Sequence, residues 1–187
     1  MKKLFILSFV LAILAATSSA QEKPFRVGLK FGLPNIVGLN AEYATPILGG
    51  RLAPSLDFSY FSINVAGTKS SFSYFELGPL VYFKSDGKGP YAGLTYGRIG
   101  FKGSYTDPSL GDGEGSLGIN RVNIKLGGKF GGGFYFRPEI GWALRVGDSK
   151  VKVKYTDTNG QVTTQTETVP GFLGGGIIFN IGFGVAF

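Results

Sequence analysis

The feature that most limits what this chain can fold into is an alternation of large apolar residues with small or polar ones, at a period of two. Between Ile177 and Phe187, the apolar residues Ile177, Phe179, Ile181, Phe183, Val185 and Phe187 stand on either side of Asn180, Gly182, Gly184 and Ala186. Successive side chains of a strand point to opposite faces, so the large residues share one face, and that face requires oil or a core. Two other segments add charge to the second face. Phe25, Val27, Leu29, Phe31 and Leu33 alternate with Arg26, Gly28, Lys30 and Gly32. Phe134, Phe136, Pro138, Ile140, Trp142, Leu144 and Val146 alternate with Tyr135, Arg137, Glu139, Gly141, Ala143, Arg145 and Gly147.

The N-terminus bears on where such strands would lie. Lys2 and Lys3 precede an apolar run from Leu4 to Ala16 broken only by Ser8, and Ser18-Ser19-Ala20 supplies the small residues of a signal-peptidase site. The expectation is a secretory signal peptide over 1-20, cut before Gln21, and a single barrel domain over 21-187. The run is shorter than the ~20 residues of a spanning helix, and no later apolar run reaches that length. A membrane protein built from this chain must therefore span with strands, and in lipid only a closed barrel satisfies every strand's backbone. Without cysteine, a lipoprotein anchor and disulfides are excluded. All 31 glycines follow the leader, which disfavours helices and leaves room inside a narrow barrel. The formal charge of +7 would suit nucleic acid, but export argues against such a partner, and the basic residues fall at strand positions.

Eight segments fit the ~9 to 11 residues of a tilted spanning strand: Phe25 to Leu33, Ile36 to Thr45, Gly50 to Phe61, Phe72 to Phe83, Tyr91 to Gly103, Leu117 to Phe130, Phe134 to Gly147, and Phe172 to Phe187. Their connectors alternate in length. Pro46 to Gly49, Lys84 to Pro90 and Gly131 to Gly133 are short. Ser62 to Ser71, Ser104 to Ser116 and Asp148 to Gly171 are long and share a side with the tight Pro34-Asn35 turn. Short turns on the periplasmic side and long loops outside are the asymmetry of outer-membrane barrels. The fold class expected is thus all-β: an eight-stranded antiparallel transmembrane β-barrel after a cleavable signal peptide, located in the cell outer membrane.

Strand phase assigns the lumen. Arg26, Lys30, Arg51, Arg121, Lys125, Lys129, Arg137 and Arg145 are expected inside with Glu42, Asp57, Glu76 and Glu139. A soluble lipocalin-type barrel would place apolar residues within and polar ones without. Eight strands leave a lumen just wide enough for side chains to fill, where unpaired charge is costly. The expectation is an ion-pair plug with water solvating the excess cations, and with the Gly182, Gly184 and Ala186 face giving Arg and Lys side chains room. A narrow anion-favouring pore is the alternative. In the fifth strand Arg98 shares a face with Ala92, Leu94 and Tyr96, so a bulge at Gly97 is expected, turning Arg98 inward and Ile99 and Phe101 outward. Pro79 and Pro138 each delete a ladder hydrogen bond and are expected at bulges or near the bilayer rims.

With these residues in view, the chain resembles a small outer-membrane β-barrel of the OmpA/OmpX type. Ile181, Phe183, Val185 and the closing Phe187 resemble the C-terminal insertion signal of Gram-negative outer-membrane barrels, which implies the barrel-assembly machinery as a partner during insertion. Phe75-Glu76-Leu77-Gly78-Pro79-Leu80-Val81 also looks like the Glu-Leu-Pro strand of an outer-membrane barrel-domain family that includes PorT-like secretion proteins. A periplasmic peptidoglycan-binding domain of the OmpA kind is not expected beyond Phe187.

Catalysis is not expected. Outer-membrane acyl hydrolases, palmitoyltransferases and omptin-type proteases use His as a base near neutral pH, and this chain has neither His nor Cys. The carboxylates form no recognisable pair. Gly113-Glu114-Gly115-Ser116-Leu117-Gly118 matches a dinucleotide-binding glycine pattern, but no helix is expected after it and Glu114 would repel phosphate, so it reads as a loop. Asp107, Asp112 and Glu114 offer hard oxygen ligands for Ca²⁺, yet acidic loops are commonly just solvated. No metal or cofactor is therefore expected.

The last connector is the best candidate for partner binding. Val151, Val153 and Tyr155 alternate with Lys150, Lys152 and Lys154, Asn159-Gly160 follows, and a Thr-rich run returns over Val162 to Thr168. Asn-Gly between alternating segments signals a hairpin, and a two-residue turn there opposes Lys152 to Glu167. Such a protruding edge can accept a partner strand, or its lysines can simply meet lipopolysaccharide phosphates. The expected partners are outer-membrane lipid and lipopolysaccharide, with an extracellular or secretion-system protein as a further candidate. Two functions follow: a non-enzymatic surface or envelope protein, or a transport or secretion component.

Overall fold

The computed structural model describes residues 23–65, 67–107, 111–147, 150–156, 161–168 and 175–187. Among these residues ten strands run in chain order: β1 (Phe25–Leu33), β2 (Ile36–Tyr43), β3 (Leu52–Val65), β4 (Thr68–Tyr82), β5 (Gly89–Asp107), β6 (Gly111–Gly131), β7 (Phe134–Val146), β8 (Lys150–Thr156), β9 (Val162–Thr168) and β10 (Gly176–Ala186). Each of β1 to β6 pairs antiparallel with the next, β7 pairs with β10, and β10 pairs with β1. These eight strands close a ring in which each pairs on both sides, which removes most of the unpaired backbone groups that an open sheet would expose. Phe25 and Phe187 exchange backbone hydrogen bonds at 3.1 and 2.9 Å and stack at 6.2 Å, which pins the seam at its lower end.

Burial follows the alternation and sets the barrel inside out relative to a soluble one. Leu94, Ile140 and Phe134 point outward and are 58%, 59% and 67% exposed, whereas Lys30 and Lys125 point inward and are 0% exposed. An apolar exterior of this extent belongs in hydrocarbon. The insertion-signal residues Phe183, Val185 and Phe187 are exposed on this outer surface, and Ile181 shares their face.

The upper end departs from the expected loops. Ser62 to Ser71 is not a long loop: β3 and β4 stay paired up to Val65 and Thr68, with Gly67 at φ +79°. Ser104 to Asp107 and Gly111 to Ser116 are likewise ladder, paired from Lys102–Ser116 to Asp107–Gly111. Continued pairing holds these Ser- and Gly-rich segments as strand where their own pattern is weak. Within Asp148 to Gly171, β8 pairs with Asp112 to Leu117 of β6, above the point where β7 leaves it, and β9 pairs with β8. Against this, β1 and β2 end at the Pro34-Asn35 turn, and β2 meets β3 only from Leu39–Phe58 to Glu42–Ser55. The wall is therefore tall from β3 round to β9 and low at β1 and β2. The signal peptide expected over residues 1-20 lies outside the described residues.

Neither proline needs a bulge. Pro79 is directly opposite Pro54 in the β3–β4 ladder, and on its other side the β4–β5 pairs resume in the same register at Leu77–Tyr96 and Leu80–Gly93. Pro138 is opposite Ile181, and the β6–β7 ladder skips from Gly127–Glu139 to Phe130–Phe136 without a shift. In an antiparallel strand a residue's N–H and C=O point to the same neighbour, so each proline interrupts one side only. The β5 register is also continuous through Gly97, so the expected bulge is absent. Arg98 stays on the outer face, with Nη1 donating to Asn120 Oδ1 at 3.5 Å, and Ile99 is buried in the lumen. The reason is height: Arg98 sits where the outer face turns from Leu94 and Tyr96 to Gly100 and Lys102, so its guanidinium can reach the polar rim.

Candidate functional site: the lumen and the raised wall

Side chains from six strands meet in the middle of the lumen. Arg26 of β1 pairs with Glu42 of β2, and Arg137 of β7 reaches the other Glu42 oxygen at 2.7 Å and Glu139 Oε1 at 3.2 Å. Lys30 Nζ bridges Asp57 of β3 at 2.5 Å and Glu139 at 2.7 Å. Lys125 of β6 pairs with Glu76 of β4 and lies 3.7 Å from both Asp57 and Glu139. Among the described residues this makes four cations against four carboxylates, each at most 4% exposed. The balance differs from the expected cation excess because the other four basic residues lie apart from this cluster. Arg121 is buried beside half-buried Arg145, opposite it in the β6–β7 ladder near the upper end, and Lys129 lies over the Tyr135 ring at 5.5 Å. Arg51 is not in the lumen. Leu48, Gly49 and Gly50 all take positive φ, so the extended strand begins only at Leu52 and Arg51 stays exposed in the turn.

Neutral polar groups complete the set, and phase reading passed over most of them. Tyr82 donates to Glu42 Oε1 at 2.9 Å, Tyr91 to Glu139, and Tyr74 to Glu76. Asn123 donates to Glu76 Oε2 at 3.1 Å and Thr95 to Glu76 Oε1 at 2.8 Å. Asn40 donates to Asp57, and its Oδ1 accepts from Arg137 at 2.9 Å. Arg137 also lies over the Tyr91 ring at 5.0 Å, and Arg26 over Tyr82 at 5.4 Å. Tyr74 and Tyr82 share strand parity with Glu76, Asn40 with Glu42 and Asn123 with Lys125, which is the signal that finds them; Tyr91 and Thr95 lie on β5, whose lumen face carries no charge in its buried part to mark it. Charges taken so fully out of water persist only with opposite charges and hydrogen-bonding groups this close.

Apolar layers close on the charges from both ends. Ala53, Leu80, Tyr82 and Tyr91 cluster below. Phe72, Tyr74, Ile99 and Ile119 cluster above, with Phe61 and Leu117 against them, and Phe72 stacks on Phe61 at 5.1 Å. Gly184 makes space for the lumen tyrosine of β7: a Cβ there would collide with both Tyr135 Oη and the Val27 carbonyl oxygen.

On the raised wall, Lys152 is opposite Thr166 and Glu167 opposite Val151, one residue away from the expected Lys152–Glu167 register. The connection from Thr156 to Val162 has an odd number of residues, which a two-residue Asn-Gly turn would not give. Asn159 and Gly160 lie outside the described residues. Lys150 pairs with Thr168 along the backbone; Lys152 and Lys154 are exposed on the face that continues the barrel exterior. Tyr155 lies on the opposite face, 6.4 Å from Tyr105 across Gly113. Gly113 to Gly118 is strand in β6 and not a loop. Among the described residues no group of three His, Cys, Asp or Glu could hold a metal ion.

A closed eight-stranded antiparallel barrel, apolar outside and charged within, is the fold of an outer-membrane β-barrel. A major outer membrane protein from Thermus thermophilus shares it, with a TM-score of 0.53 and 12% identity over 87% of this chain and 97% of that one. CarO2 and CarO of Acinetobacter baumannii align with TM-scores of 0.46 and 0.43, at 11% and 10% identity, over 90% of this chain and 100% of theirs. No family model matches the chain, and no curated protein matches it.

Proposed function

We propose that this chain is an integral outer-membrane barrel, not an enzyme, whose lumen is sealed by its ion pairs and whose raised wall serves surface interaction or envelope structure. The observation that carries this reading is the contact of oppositely charged side chains across the lumen, from strands that are not neighbours in the sheet. Lys30 of β1 reaches Asp57 of β3 and Glu139 of β7, and Lys125 of β6 reaches Glu76 of β4. With apolar layers above and below, these contacts fill a lumen that eight strands make narrow. The eight-strand count also favours the OmpA/OmpX-type architecture, with outer-membrane lipid as surroundings and the barrel-assembly machinery as the route of insertion. The raised wall supplies partner-facing edges at β9 and at the top of β3. The transport or secretion alternative would require the ion pairs to open. Planar-bilayer recording of the refolded barrel tests the choice: the sealed lumen gives no discrete conductance steps, and a stable anion-selective conductance would overturn it.

A further inference from the structure

The face of the raised wall that continues the lipid-facing exterior carries a groove of about 580 Å³ lined by Lys69 of β4, Lys102 of β5 and Lys152 and Lys154 of β8. Glu114 of β6 also lines it, and lies directly opposite Lys154 in the ladder, so three ammonium charges remain over. Hydroxyls of Ser71, Ser104, Ser116 and Thr164 stand among the lysines. Gly103 and Gly115 also line the groove, so backbone without side chains forms part of its floor. A second hollow of about 490 Å³ shares Lys102 and Lys152 and runs down to Arg98.

The height of the groove identifies its ligand. Going up this face, the large outward residues end with Tyr60 on β3, Phe75 on β4, Tyr96 on β5 and Val122 on β6, and polar or small residues follow on each strand. Arg98 lies directly above the apolar band, and Lys69 and Lys102 lie roughly 20 Å along the strands beyond Phe75 and Tyr96, in the layer of headgroup and sugar and on the bilayer-facing side. Lysine is a compact cation well suited to phosphate. We propose that this groove binds the phosphorylated headgroup of an outer-leaflet glycolipid, the ammonium groups taking the phosphates and the hydroxyls and glycine floor the sugar. The proposal rests on the outer-membrane reading above and names the partner of its raised wall.

The test uses the full barrel in mixed micelles, with native mass spectrometry measuring retention of a bis-phosphorylated lipid-A-type glycolipid and of its phosphate-free counterpart. The wild type retains only the phosphorylated form. The surface variant K69Q/K102Q/K152Q/K154Q retains it about tenfold or more weakly, and R51Q/K84Q, at the opposite rim, matches wild type. Equal retention by the quadruple variant, or of the phosphate-free lipid, overturns the proposal. Equal competition by soluble inositol hexakisphosphate would make the ligand a free anion and also overturn it. Insertion into vesicles is scored separately by heat-modifiable migration: a barrel that inserts but does not retain the glycolipid sinks this proposal alone, and one that never inserts sinks the membrane reading too.

Discussion

Replacing Arg137 by Met keeps the length and apolar stem of the side chain while removing one charge from the closed set of four cations and four carboxylates. The guanidinium donates to Glu42 at 2.7 Å, to Asn40 at 2.9 Å and to the Tyr91 hydroxyl at 2.7 Å, and is itself 1% exposed. Removing one partner of a buried ion pair costs about 3–5 kcal/mol, because the other charge stays buried without compensation. Here Glu42 keeps Arg26 and Tyr82, and Glu139 keeps Lys30, so the cost falls at the lower end, about 3 kcal/mol. The assay is equilibrium urea unfolding in lipid vesicles followed by the fluorescence of Trp142, which faces the exterior and reports departure from lipid. R137M/E42Q restores the charge balance and should lose less than the sum of its single changes, by about 0.5–3 kcal/mol. A single-variant cost below about 1 kcal/mol, with an additive double variant, would refute the idea that these charges act as one set.

Three further outcomes follow from the geometry. Ile181→Arg puts a charge on the outer face and should cost about 2–4 kcal/mol if the residue lies near the bilayer midplane; a negligible change in vesicle unfolding would count against that face being in lipid. Gly184→Val drives a side chain into Tyr135 and the Val27 carbonyl oxygen and should destabilise by about 1–3 kcal/mol, read as a lowered temperature for loss of the compact gel band; an unchanged band would sink the close approach. Since the chain has no Cys, K152C/T166C should oxidise to a disulfide while K152C/E167C does not, and the reverse result would restore the Asn-Gly register.

The barrel was legible wherever one strand face is large and apolar and the other is charged. The bounds expected for the first strand, Phe25 to Leu33, are those of β1, and the phase that placed Lys30 and Arg137 inward also holds for Tyr74, Tyr82 and Tyr91. The raised wall was not legible, because around Ser70-Ser71 and from Gly113 to Ser116 both faces are small or polar, and a neighbouring ladder decides the structure. The bulge expected at Gly97 failed for a related reason. Alternation tells which residues share a face but not how high on the barrel they lie. At the height of Ile99, Ile119 and Phe72 the apolar residues turn inward to cover the charges, and Arg98 turns outward above the band.

The uneven wall gives the molecule a front and a back as seen along the membrane plane. The low rim at β1 and β2 is the front; the lysines of β4, β5 and β8 form the back. Two copies lying side by side in a bilayer cannot meet back to back without bringing Lys69, Lys102, Lys152 and Lys154 of each together, and that repulsion acts within about a Debye length, ~8 Å at physiological salt. Crowded copies would then turn their fronts toward one another unless an anion bridged their backs, so lateral order in the membrane would follow from which strands were raised.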